Sequence, residues 1–228
     1  MPPNPSTPTV ASYPSTHLTL GAGIAIFHLA TARVVLCYHT RDNYYFLPKG
    51  RKNSGEPLER AAEREGFEES GYRNRVLPIV MGHRATEAGR FAAEALWVQM
   101  LPLNARVQYL LFWFVGETVP GTVEEGYGGR AAREVVYVPP SAFPEGLTLK
   151  ERVAQDRLDD GGGVYEPVRH EGMAQDEEEE CYRSYLFPVD EACRKLRGTL
   201  MEDVVRRGWE GIQARMKVEE EDEAKAAG

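Results

Sequence analysis

The sequence predicts an α+β chain, a mixed-sheet sandwich. Three observations carry that prediction. Strand-like runs are interrupted by helices without regular βα alternation. One central helix, opening at Pro57 and stopping at Gly71, has an inward stripe that begins apolar and turns acidic. The C-terminal part reads as helical.

The elements follow in order. Residues 1–16, rich in Pro, Ser and Thr, are expected to form a flexible tail. From His17 the character changes: "HLTLGAGIAIFHL" and "RVVLCYH" are β-rich runs, and "NYYFLP" is a third strand. The "GAGIAI" segment begins like a dinucleotide fingerprint, but its third glycine is missing and its continuation is strand-like. Close packing within a strand explains those glycines better. After the central helix, "RVLPIVMGH" resumes strand character, and residues 84–104 read as a helix or an insertion. "RVQYLLFWFVGETV" and "REVVYVPP" read as long buried strands. Residues 141–183, with "DDGGG" and "DEEEE" inside, form an irregular insertion of the kind that is usually functional or disordered. Val189, Ala192 and Leu196 share one helix face, and Thr199 to Glu202 has the spacing of a capping box before the last helix. A single domain over 17–217 is expected, followed by an acidic tail over 218–228.

Composition narrows the function classes. The chain has 228 residues, 42% hydrophobic and 27% charged, enough for one sizeable domain. Its net charge is −8, yet ten negative charges sit in Asp176–Glu180 and Glu219–Glu223, so the rest is near neutral. This argues against nonspecific nucleic-acid binding and leaves room for a local anion site. Cys37, Cys181 and Cys193 lie far apart, which suits a reducing compartment, cytoplasmic or nuclear. The longest apolar run, "YLLFWFV", is far short of the ~20 residues that span a bilayer, so no membrane role is expected.

The central helix carries the chemistry. At ~100° per residue, Leu58, Ala62, Glu65 and Glu69 fall on one narrow face, with Ala61 and Glu68 beside it. Two like charges four apart repel, and on a half-buried face desolvation adds to that cost. A solvated acidic face, pairing with Arg60 and Arg64, or a divalent cation would each relieve it. Hard cations prefer such oxygen ligands.

The order Gly50, Glu56, Arg64-Glu65, Glu68-Glu69, Gly71-Tyr72 resembles the Nudix box, G-x5-E-x7-R-E-U-x-E-E-x-G-U, where U is a bulky residue. The one departure is Gly66, which costs the helix about 1 kcal/mol against alanine and removes a packing side chain. The resemblance implies an α/β/α sandwich and a hydrolase of diphosphate linkages that uses Mg²⁺ or Mn²⁺. It implies metal ligation by Glu65, Glu68 and Glu69, with backbone approach at Gly50. Arg64 would orient the carboxylates, Glu56 would brace the loop, and Gly71 would stop the helix. The general base would be Glu69 or a downstream carboxylate among Glu124, Glu125 and Glu171.

Beside that box, Lys49, Arg51 and Lys52 are candidates to grip substrate phosphates, with Arg41, Arg84 and Arg90 weaker. Tyr44, Tyr45, Trp97 and Trp113 could stack on a base, although core packing is the commoner use. The cations and the "FLPKG" entry suggest a phosphate-dense small molecule, a diphosphoinositol polyphosphate or a dinucleoside polyphosphate. An mRNA cap is the second choice, without a basic RNA-tracking stripe to support it. A non-catalytic binding module of the same fold would be marked by loss of the box glutamates, and all three are present.

Overall fold

Strand β1 (Leu18–His28) explains why the sheet has two apolar faces. Ala22, Ile24 and Ile26 join one core and Ala25 and Phe27 the other, the period-2 alternation of an extended chain. A strand buried on both sides belongs in the middle of a sandwich. The computed structural model describes residues 6–86, 89–128, 137–158, 162–171, 177–226 and 228.

Among the described residues, seven further strands complete an eight-stranded sheet: β2 (Arg33–His39), β3 (Tyr44–Phe46), β4 (Lys49–Arg51), β5 (Asn74–Val76), β6 (Trp97–Pro102), β7 (Gln108–Thr118) and β8 (Tyr182–Pro188). β1 and β7 run parallel, from Leu18 opposite Gln108 to Phe27 opposite Glu117. The other pairings are antiparallel, so the sheet is mixed, as expected. The helices are α1 (Leu58–Ser70), α2 (Gly121–Gly126), α3 (Leu149–Ala154), α4 (Val189–Lys195) and α5 (Leu200–Ala226). α1 covers one face through Ala61 and Ala62, which pack with Ile24, Ile26, Val35 and Phe114. α4 and α5 cover the other through Ala192, Leu196, Val204, Val205 and Ile212, against Phe27, Leu36, Trp113 and Val115. The result is an α/β/α sandwich.

The "FLPKG" stretch positions the site. It pairs with β2 as β3, Cys37 opposite Phe46, then switches at Leu47-Pro48 to pair with β1 as β4, Ala22 opposite Gly50. This change of partner sets Lys49, Gly50 and Arg51 against α1. The "GAGIAI" segment lies in the middle of β1.

Several expectations are corrected. The acidic run Glu219–Glu223, read as a solvated tail, forms the last turns of α5, and Glu219 is buried. The insertion is not irregular throughout. It contains α3, whose N-terminus is a full capping box of Thr148 and Glu151. Arg152 of α3 is fully buried and ion-pairs with Glu117 at 2.8 Å and Asp156 at 2.9 Å, which docks this helix on the sheet. The box drawn at Thr199 does not form: the Thr199 hydroxyl donates back to the Leu196 carbonyl, and Glu202 accepts the Gly198 N–H. Residues 84–104 contribute strand β6 and, among the described residues, no helix. Half of the strand expected at "REVVYVPP" lies outside the described residues, and the other half, Tyr137–Pro140, is not a strand.

Candidate active site

α1 begins where Pro57, at φ −63°, feeds Leu58 into the first turn, and it ends at Gly71, whose φ of 75° suits glycine. Along its sheet-facing side the stripe passes from Ala61 and Ala62 to Glu65 and Glu69. Arg64 organises the acids around it. Its Nε and Nη2 donate to the two Glu56 oxygens, each at 2.9 Å, while Nη1 donates to Glu65 and Glu68, each at 2.8 Å. Nη2 also meets the Arg51 carbonyl at 2.9 Å, so the arginine ties helix to strand. Arg64 is held above its usual pKa, first by its hydrogen bond to Glu56. Glu56 closes the intervening loop by accepting the Asn53 N–H at 2.7 Å, and Arg64 beside it lowers its pKa. Arg60, the other pairing candidate, goes to Glu63 at 2.8 Å.

Glu65 and Glu69 face β4. The Lys49 N–H donates to Glu69 Oε2 at 2.6 Å. Glu65 lies so close to Gly50 that a Cβ there would come within 2.0 Å of Glu65 Oε2. Only glycine allows this approach. The Gly50 carbonyl accepts the Tyr109 hydroxyl at 2.9 Å. Burial pushes the Glu65 carboxyl up to about 7 and that of Glu69 up to about 8, with Arg64 and Lys49 respectively pulling back.

A cavity of about 330 Å³ opens at the C-terminal end of α1. Glu68, Glu69, Ser70 and Gly71 form one side, while Arg169–Glu171 and Glu179, Glu180, Tyr182 and Arg183 form the others. Tyr182 joins an aromatic wall, 4.8 Å from Phe46 and 5.4 Å from His39 between ring centroids.

The predicted cations separate. Lys49 sits at the box, its ammonium 5.8 Å from the Phe46 ring centroid. Arg51 offers its carbonyl to Arg64 and has an exposed side chain, and Lys52 Nζ folds onto the Asn53 carbonyl. Arg41 meets Asp42 at 3.6 Å, Arg90 pairs with Asp222, and Arg84 lines a separate cavity. Among the aromatics, Trp113 and Tyr45 belong to the core or pack on it, as does Trp97, whereas Tyr44 is exposed. Of the downstream carboxylates, Glu124 is buried against His170 at 2.7 Å and Glu125 is exposed. Glu171 reaches the cavity.

Sequence reasoning missed Arg169, His170, Tyr182 and Arg183. Their segments come to the helix end through long-range pairing, Tyr72 with Arg169 and β2 with β8. The strand-like "YEPVRH" was a signal that could have drawn attention to the first of them.

Among the described residues, no three His, Cys, Asp or Glu side chains stand close enough to hold an ion as they are. Arg64 takes the place between Glu65 and Glu68. The donor chemistry nonetheless fits Mg²⁺ or Mn²⁺: Glu65, Glu68 and Glu69 offer only hard oxygens, while the Gly50 carbonyl is engaged by the Tyr109 hydroxyl.

A mixed-sheet sandwich with this acid-rich helix and its glycine-bearing strand defines the class, a Nudix fold. Residues 18–158 match the NUDIX domain family, more than half of the chain, and the chain belongs to that family as a Nudix pyrophosphohydrolase. It is also similar to a NUDIX hydrolase from Nitrosomonas europaea, with 18% identity and a TM-score of 0.42 over 88% of this chain and 94% of that one. A NUDIX-family hydrolase from Clostridium perfringens gives 11% identity and a TM-score of 0.40 over 86% and 96%. Membership rests on the family match, not on these overlaps. Among the described residues no helix is long and apolar enough to cross a membrane.

Proposed function

We propose that the chain hydrolyses a diphosphate linkage in a phosphate-dense small molecule, a diphosphoinositol polyphosphate or a dinucleoside polyphosphate, with Mg²⁺ or Mn²⁺. The observation that carries this reading is the pair of carboxyls on one helix face, Glu65 and Glu69, raised by burial to about 7 and 8. Carboxylates kept at such a desolvation cost are matched by a divalent cation, with Glu68 as third donor. Bound there, the cation would neutralise charge developing on the non-bridging phosphate oxygens. Glu69, pinned by the Lys49 N–H, is in this reading the base that takes a proton from the attacking water. Arg64 holds Glu65 and Glu68 in register, and Glu56 and Gly71 fix the two ends of the helix segment. Lys49, Arg51, Lys52 and Arg41 supply positive charge for phosphates, with Lys49 best placed.

Glu179 and Glu180 line the cavity and favour a compact ligand over an RNA chain. Three free cysteines, Cys37, Cys181 and Cys193, support a reducing compartment, cytoplasm or nucleus.

The test is phosphate release from a panel of diphosphates with Mg²⁺ and with Mn²⁺. Wild type should turn over the polyphosphorylated members fastest, and Glu69→Gln should lose about a hundredfold or more. An undiminished rate in that variant would remove Glu69 from its role. Preference for capped RNA would overturn the substrate class.

A further inference from the structure

We infer that the cavity at the end of α1 is a subsite for a substrate phosphate remote from the cleaved bond, and that Arg169 is the specificity-determining residue that reads it. The inference rests on the diphosphatase reading above and adds to it a residue outside the Nudix box.

Arg169 and Arg183 both line the cavity, but they are presented differently. Arg183 Nη1 donates to the carbonyls of Glu180 and Tyr182 beside it. Arg169 is anchored from behind. Its Nε donates to Ser184 Oγ at 2.8 Å, and that hydroxyl donates to the Ser70 carbonyl in the last turn of α1. Its backbone is bridged to Tyr72, and the His170 N–H donates to the Gly71 carbonyl at 2.9 Å. The guanidinium is therefore fixed to the end of the helix that carries Glu65, Glu68 and Glu69. A preorganised donor loses little freedom when it binds.

Among the described residues its terminal nitrogens have little else to hold. Nη1 donates to Glu171 at 2.9 Å, and that carboxylate is 83% exposed. Exposed pairs of this kind contribute little and give way to a stronger acceptor. A phosphate is that acceptor, because it takes two parallel N–H bonds from one guanidinium. Carboxylates stand on both walls, Glu68 and Glu69 on one and Glu179 and Glu180 on the other. They discriminate against an anion that brings no countercharge. The ligand class that fits is a polyphosphate complexed with a divalent ion.

The experiment compares kcat/KM for a dinucleoside polyphosphate and a nucleoside-diphosphate sugar in wild type, Arg169→Gln, Arg169→Lys and Ser184→Ala. Arg169→Gln should shift the ratio of the two against the polyphosphate by about tenfold, chiefly through KM. Ser184→Ala should shift it the same way by less, and Arg169→Lys should recover only part, since an ammonium cannot keep both the Ser184 bond and the fork. Equal losses on both substrates, or no loss, overturn the subsite. Should wild type cleave neither compound, the dinucleoside-polyphosphate reading fails by itself. The subsite is then judged by calorimetric titration with inorganic tripolyphosphate and Mg²⁺. Binding about tenfold weaker in Arg169→Gln upholds it, and equal affinity overturns it.

Discussion

At the scale of single residues, Gly66 is the informative departure. The family pattern places a bulky residue there, and a mid-helix glycine reads in the sequence as lost packing. The structure assigns the space differently. A Cβ on Gly66 would lie 2.7 Å from Asn74 Nδ2 and 2.8 Å from Ile24 Cγ2. Asn74 fills the gap and ties it, since its Nδ2 donates to the carbonyls of Glu63 and Tyr72, each at 3.1 Å. Glycine and asparagine form a complementary pair across the helix–sheet contact. Gly66→Leu should therefore destabilise the protein by about 1–3 kcal/mol in denaturant melts, although leucine is the better helix former. Pairing it with Asn74→Ala should recover part of that loss. A stabilised Gly66→Leu single variant would show that the contact has slack. The box itself was legible because its chemistry depends on spacing along one helix. Asn74, Arg169 and Tyr182 were not, because only tertiary pairing brings them to α1.

At the scale of the element, α1 holds acids that burial keeps protonated into the neutral range. Glu65 and Glu69 have folded pKa values of about 7 and 8 against an ordinary value of 4.5. Between those limits the folded state binds more protons than the unfolded state, so stability falls as pH rises from about 5 to 8. A divalent ion needs the deprotonated form and should reverse the trend. Thermal melts in EDTA should thus show Tm declining across this window, with Mg²⁺ raising Tm more at pH 8 than at pH 5.5. An equal Mg²⁺ effect at both values would detach the ion from these carboxyls. Elements also show where local signals fail. The T-x-x-E spacing occurs at Thr148–Glu151 and at Thr199–Glu202, yet only the first closes as a capping box. At the second, the preceding turn claims both side chains. Spacing proposes a cap, and the competing donors and acceptors nearby decide it.

At the scale of the whole molecule, the sandwich was legible from strand-like runs interrupted by helices, whereas its C-terminal boundary was not. Charge runs usually mark solvated ends. Here, three of the five acids in Glu219–Glu223 make long-range contacts, Asp222 with Arg90, Glu223 with Lys150 and, buried, Glu219. Glu219 accepts the Leu149 N–H, the first amide of α3, and the Arg215 Nε, each at 2.7 Å. Arg215 in turn donates to the carbonyls of Pro78 at 2.7 Å and Leu147 at 2.8 Å. The end of α5 thus fastens α3 and the loop after β5, and nothing in the local pattern separates Glu219 from its neighbours. Deleting residues 218–228 would leave Arg215 buried without its carboxylate and the Leu149 N–H of α3 without its acceptor. The expected cost is about 3–5 kcal/mol, a fall in Tm of roughly 6 °C or more. The N-terminal segment is the internal control. Residues 6–17 are exposed throughout, so removing residues 1–14 should leave Tm within about 1 °C of wild type. If the two truncations were equally mild, Glu219 would have no structural role and the domain would end near Lys217. If only the C-terminal cut lowers Tm, and Glu219→Ala reproduces most of the fall, the domain extends through the last turns of α5.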